Sequence, residues 1–141
     1  MKTTGVMTLD HAPQVVAEWL NLLCEDLHWS EKGRAHILLR ETLHAVRDYL
    51  TVDEAADFAA QLPVLVRGIY YGDWVPSRTP VHPRGKDDFL DRVASAFVEK
   101  PLYDPERAIT AVFDLLRRKL SAGEIEQVAR AMRKPLRDLW L

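Results

Sequence analysis

Glu25 and His28, and again Glu41 and His44, stand three residues apart. On a helix this spacing offers a carboxylate and an imidazole to one metal ion. Two such pairs with two further glutamates build the dinuclear centre of a carboxylate helix bundle, provided that all of them project inward. At about 100° per residue, Glu41 and His44 fall roughly 140–200° from the stripe of Leu39, Leu43 and Val46. Glu25 and His28 likewise point away from Leu20, Leu23 and Leu27. The pattern turns both pairs towards water and argues against a metal centre. Cys24 and His28, four residues apart, supply two ligands where a zinc site needs more. Cys24 reads as a small thiol on the border of a packed face. No metal or other cofactor is expected.

Nucleophilic chemistry has no better footing. Ser30 and Ser121 read as helix caps, Ser77 lies in a loop and Ser95 within a helix; none has a Gly-x-Ser-x-Gly setting. No glycine-rich phosphate loop is present. The segment from Thr51 to Gly72 has the outline of a helix-turn-helix, but its reading helix would present Val64, Leu65, Val66 and Ile69 with Arg67 alone. A reading helix offers polar and basic groups to bases and phosphates. Arg117, Arg118, Lys119, Arg130, Arg133, Lys134 and Arg137 give the C-terminal end a positive bias. They are the candidate residues of a nucleic-acid-binding alternative, although a binder concentrates such charge in one patch.

The elements behind these residues are helical. Apolar residues recur at helical spacing, punctuated by Pro and Gly. Trp19, Leu20, Leu23 and Leu27 share one face, as do Leu39, Leu43, Val46 and Leu50. Ala55, Phe58, Ala59 and Leu62 form a third stripe, and Val66, Ile69 and Tyr70 a fourth. A shift of 70 positions repeats the pattern without a gap, in Phe89/Leu90/Val93/Phe97, Ile109/Phe113/Leu116/Leu120, Ile125/Val128/Ala129/Met132 and Leu136/Leu139/Trp140. Leu20/Leu90, Arg47/Arg117, Leu50/Leu120, Glu54/Glu124 and Arg67/Arg137 are identical across the shift. What repeats is mainly a burial pattern. Thr51–Glu54 and Ser121–Glu124 both have the capping-box form, each cap contributing about 1 kcal/mol. Asp104 with Pro105 reads as an N-cap followed by proline at the first helical position. One half alone, of about 60 residues, would bury too little surface. The expected fold is therefore a single all-α domain over 1–141. It comprises repeat 1 (about 13–72), a connection (about 72–85) and repeat 2 (about 86–141), about eight helical segments sharing one core. Pro63 marks a break between the third and fourth segments.

The stretch Gln61–Trp74 crowds aliphatics, two tyrosines and a tryptophan around Arg67. Because Arg67 has a twin in Arg137, and Tyr70 a counterpart in Trp140, its helical part reads as scaffold. Arg67 and Arg47 are placed to meet the carbonyl end of a helix, and Gly72 can close the helix in a left-handed cap. What has no twin is the connection, stiffened by Pro76, Pro80 and Pro83. Ordered connections of this kind often carry function. Tyr71, Trp74, Arg78, His82 and Arg84 are the candidate residues for a ligand or partner.

Composition sets the class. The chain has 141 residues, 48% hydrophobic and 28% charged, with a net charge of −2, the mix of a globular domain. That charge gives no global attraction to nucleic acid or to an anionic membrane. No apolar run approaches a membrane span. The first ten residues lack the apolar core of a secretory signal. The lone Cys24 permits no internal disulfide, which fits a reducing, cytoplasmic setting.

The run Leu62-Pro63-x-Leu65-x-Arg67-Gly68-x-Tyr70-Tyr71-x-x-Trp74 resembles the mark of a bacterial all-helical family catalogued as a domain of unknown function, and the resemblance covers nearly the whole chain. It implies a helical cytosolic protein and supplies no reaction, cofactor or partner. The leading expectation is a non-enzymatic helical interaction module that binds a protein partner or itself. Two alternatives stand beside it: the nucleic-acid binder, and an enzyme or small-ligand binder with a pocket at the Tyr70–Arg84 connection.

Overall fold

The computed structural model describes residues 3–141. Among them lie eight α-helices and no strand: α1 (Met7–Leu27), α2 (Lys32–Asp48), α3 (Val52–Ala59), α4 (Val64–Tyr71), α5 (Lys86–Ala94), α6 (Pro105–Lys119), α7 (Ala122–Arg130) and α8 (Lys134–Trp140). The fold is all-α. None of these helices is long and apolar enough to cross a membrane.

Local chemistry sets most of the boundaries. At Thr51 the capping box is complete: its Oγ1 accepts from the Glu54 amide at 3.2 Å, and Glu54 Oε1 accepts from the Thr51 amide at 2.9 Å. At Ser121 only half of the box forms. Its Oγ accepts from the Glu124 amide at 3.3 Å, while the Glu124 carboxylate makes no return bond. Asp104 caps α6 through the Arg107 amide, with Pro105 in the first turn. Three expectations change. Ser30 caps nothing, because α2 starts after Glu31 without a side-chain cap. Gly72 has φ −54°, and Asp73 takes the left-handed conformation instead, with φ 61°. α1 begins at Met7, ahead of the expected start near 13, and carries Pro13 within it. The break at Pro63 forms as expected. α3 and α7 start at Val52 and Ala122, α4 and α8 at Val64 and Lys134, so the 70-residue spacing holds at both helix starts.

α2 and α6 pack on each other at the centre, and each carries helices from the other half of the chain. α1 lies on both, α5 lies on both, α4 covers α2, α8 covers α6, and α3 meets α7. Leu38, Leu39, Leu43 and Val46 of α2 and Ile109, Val112, Phe113 and Leu116 of α6 are fully buried in one core. Each such side chain contributes roughly 1.5–3 kcal/mol. A string of touching rings runs through this core: Tyr71, Tyr70, Phe58, Trp140, Phe113, Phe89 and Tyr49. Phe113 and Trp140 stack at 4.0 Å with planes 16° apart. Tyr70 and Trp140 are thus scaffold, and burial raises the Tyr70 phenol well above its ordinary pKa while its hydroxyl donates to Ala55 O at 2.9 Å.

The C-terminal turn of α2 is a polar hub inside this apolar frame. Arg47, 2% exposed, donates through Nη1 to Tyr70 O at 2.8 Å and Gly72 O at 2.7 Å, the carbonyl end of α4. Its other nitrogens grip Asp48 at 2.8 and 3.2 Å. Arg92 of α5 reaches the same carboxylate, and Asp48 O accepts from the Val81 amide at 2.9 Å. Burial alone would raise the Asp48 carboxyl, but hydrogen bonds from Arg47 and Arg92 outweigh it and hold the pKa below the usual range. His44 corrects the sequence reading: it is buried, not solvent-facing, with Nε2 2.7 Å from Ile69 O. That carbonyl requires Nε2 to carry the proton.

Removing Arg47 leaves two carbonyls and part of Asp48 unpaired in the interior. Arg47→Met should therefore destabilise the fold by about 3–5 kcal/mol in urea unfolding, as expected for one lost partner of a buried pair. Arg118→Met on the surface should change stability by less than about 0.5 kcal/mol.

Burial, partly opposed by the bond to Ile69 O, also lowers the His44 pKa. Below about pH 6.5 the unfolded chain takes up a proton at this position that the folded chain resists. Stability from His44 is thus complete above that pH and falls as pH drops from there to the depressed folded value. In urea titrations from pH 7.5 to 5, the native chain should lose stability relative to His44→Gln, by at most about 1.4 kcal/mol per pH unit. Parallel curves would show that His44 does not titrate this way.

Candidate functional site

Two adjoining recesses lie where the α1–α2 turn meets the α5–α6 loop. His28 ends α1 in the left-handed conformation, φ 57°, and the Trp29 amide returns to Cys24 O at 2.9 Å. His28 is the left-handed residue on which this turn is built. The turn brings the Trp29 ring centroid to 4.7 Å from the guanidinium carbon of Arg34, which also lies 4.9 Å from the centre of the Phe97 ring. The same guanidinium donates to Lys100 O at 2.7 Å and Pro101 O at 3.2 Å. One arginine therefore joins the start of α2 to the loop, through two cation–π contacts and two charge-assisted hydrogen bonds.

Arg34 also divides the surface into two lobes. On one side a recess of about 440 Å³ is bordered by Leu27, Trp29, Leu102 and Tyr103. On the other, a more open recess of about 520 Å³ is bordered by Ile37, Phe97 and Val98. Glu31, Arg34 and Lys100 border both. The loop lifts apolar side chains onto the lips, with Val98 80% and Tyr103 103% exposed.

Several charges around this groove are paired. Lys100 Nζ meets Glu31 at 2.9 Å, and its hydrogen bond and charge hold the Glu31 carboxyl below its ordinary pKa. Arg107 meets the Asp26 carboxylate at 2.6 Å and Asp26 O at 3.0 Å, which raises its own pKa. What the groove offers is shape, aromatic edges and apolar lips.

The candidate residues of the connection lie elsewhere. Tyr71 and Trp74 are half-buried, packed on the core and stacked on each other at 5.4 Å. Arg78 is exposed on a single 3-10 turn, Pro76–Arg78, and Arg84 is half-buried. His82 is exposed beside a shallow recess with Tyr49, Asp88 and Arg92. The buried Nε1 of Trp74 and Nε of Arg84 have no protein partner. The five residues do not converge on one of these recesses.

The basic C-terminal end is largely neutralised in place. Arg117 pairs with Asp114, Lys119 with Glu18, Arg130 with Glu126 and Lys134 with Asp138. Arg137 is half-buried, which leaves Arg118 and Arg133 exposed without a carboxylate partner among the described residues.

The sequence reading missed the groove because its parts are distributed. Trp29 and Arg34 flank a helix start, and Val98 and Tyr103 sit between helical stripes. The available signal was those last two positions, apolar residues in a loop where no helical face required them.

No curated protein matches the chain. A family model matches residues 16–139, nearly the whole of it, and carries the description "Uncharacterized conserved protein (DUF2267)". The all-helical chain that holds these recesses belongs to that uncharacterised family.

Proposed function

We propose that this chain is a cytoplasmic interaction module, built on two copies of one four-helix plan, that docks a protein partner in the two-lobed groove at Trp29, Arg34, Phe97 and Tyr103. The observation that carries this reading is the pair of lips. Val98 and Tyr103 stand almost fully in water, on a loop whose base is fixed by Arg34. Burying them in a contact recovers the hydrophobic gain that the free chain forgoes. Tyrosine is an efficient anchor for such a contact, because it supplies large area with few rotatable bonds and a polar tip. The paired charges around the groove suit a polar rim about an apolar centre. The occupant that fits is a polypeptide segment placing one apolar side chain in each lobe across Arg34.

The connection remains a second candidate contact, favoured by the two buried donors without protein partners on Trp74 and Arg84. Quantitative affinity capture from the native host separates the two. Val98→Ser with Tyr103→Ser should leave the melting temperature within a few degrees of native and reduce recovery of a specific partner at least tenfold. Arg78→Ser with His82→Ser should leave recovery unchanged. Unchanged recovery with the first pair refutes docking in the groove, and loss with the second pair moves the contact to the connection.

A further inference from the structure

The groove and its lips lie on one face. Arg34 holds Lys100 O and Pro101 O, and the exposed apolar residues before and after that anchored pair each border one lobe, Val98 the more open one and Tyr103 the smaller. The face thus carries two projections, 80% and 103% exposed, and two recesses of about 520 and 440 Å³. Projections and recesses on one patch are the condition for isologous pairing, in which a surface meets a copy of itself across a two-fold axis.

Charge is matched in the same way. Three carboxylates border the lobes, Glu31, Glu99 and Asp104, and three cations, Arg34, Lys100 and Arg107. Such a face meets its own copy without net repulsion. Glu99 borders only the more open lobe and enters none of the ion pairs among the described residues. Arg107 borders only the smaller lobe. It spends Nη2 on Asp26, and its Nη1 and Nε keep their donors free among the described residues.

We infer that the occupant of the groove is a second copy of this chain, an assignment that rests on the groove being a docking site. A two-fold axis near Arg34 sets each lobe against the opposite lobe of the other copy. Tyr103 enters the more open lobe, beside Ile37 and Phe97 of the second copy, and Val98 enters the smaller one, so the larger side chain meets the larger space. Four exposed apolar side chains leave water in each pair. Glu99 of each copy is brought towards the free donors of Arg107 of the other, a contact made twice. Glu31 and Lys100, which border both lobes, lie near the axis, where each meets its opposite charge from the second copy.

Sedimentation equilibrium of the full chain tests this, over about 1 μM to about 0.5 mM, a range that spans the affinities of small interfaces. It should show a monomer–dimer equilibrium. Val98→Ser with Tyr103→Ser should weaken the dimer at least tenfold, and Glu99→Lys, which sets like charges together at two places, severalfold. Val64→Ser, at an apolar residue exposed on α4, should leave it unchanged. Helical circular dichroism confirms that each variant is folded. In a mixture of labelled and unlabelled chain, isotope-filtered NOE spectra should join the Tyr103 ring of one copy to Ile37 and Phe97 of the other. A chain that stays monomeric, a dimer undiminished in either the double variant or Glu99→Lys, or a dimer without the Tyr103 contacts overturns the assignment. If the chain is monomeric while Val98→Ser with Tyr103→Ser still loses a captured protein of different sequence, the groove keeps its docking role and the second copy is excluded as its occupant.

Discussion

Short helices have a problem at their carbonyl ends, and in this chain arginine solves it. Every α-helix leaves its last carbonyls without an intrahelical donor, and for a helix of 7–9 residues, such as α3, α4, α7 and α8, those groups make up much of the backbone. Guanidinium groups from elsewhere supply donors at the ends of α3, α4 and α8, whereas Arg137, placed for α7 as Arg67 is for α3, has a buried Nε without a partner among the described residues. Arg47 of α2 bonds the end of α4, and Arg117 of α6 bonds Trp140 O at the end of α8. Arg67 of α4 bonds Ala59 O at 2.9 Å and Leu62 O at 3.0 Å, where α3 ends. Arg107 of α6 bonds Asp26 O near the end of α1. Each contact satisfies carbonyls, complements the helix dipole and pins one helix to another. The Arg47–Tyr70 and Arg117–Trp140 contacts lie at the same 70-residue spacing as the helix starts.

This constraint bears on where recognition can occur. Tyr70 and Trp140 sit in the ring string and have their own carbonyls held by arginine, so the aromatic density of Gln61–Trp74 is committed to the interior. Arg34 shows the same chemistry applied to a loop. By fixing Lys100 and Pro101 it presents Val98 and Tyr103 on a firm base, and firmness lowers the ordering cost of a contact.

How much of this was legible depended on periodicity. The stripe at Ile125, Val128, Ala129 and Met132 is wholly buried, and the 70-residue spacing placed the starts of α7 and α8 from those of α3 and α4. Period arithmetic failed at His44. Its angle from the leucine stripe pointed to water, but α4 folds over that side of α2 and Ile69 O supplies a polar partner. The same arithmetic cannot say which helix an arginine caps: Arg47 and Arg67 were correctly linked to helix carbonyls, yet those carbonyls belong to neighbouring helices. Gly72 was the natural residue for a left-handed turn, but Asp73 adopts it, since aspartate tolerates that conformation better than most side chains. The groove was illegible because it is assembled from a turn, a helix start and a loop about 70 residues further on.

Native-state hydrogen exchange on Arg47→Met, Arg67→Met, Arg107→Met and Arg117→Met tests the cross-helix capping most directly. Each variant should lose protection in the last turn of the helix whose carbonyls that arginine holds: α4, α3, α1 and α8 respectively. Protection lost instead in the helix that carries the arginine, or lost evenly over all eight, would contradict it.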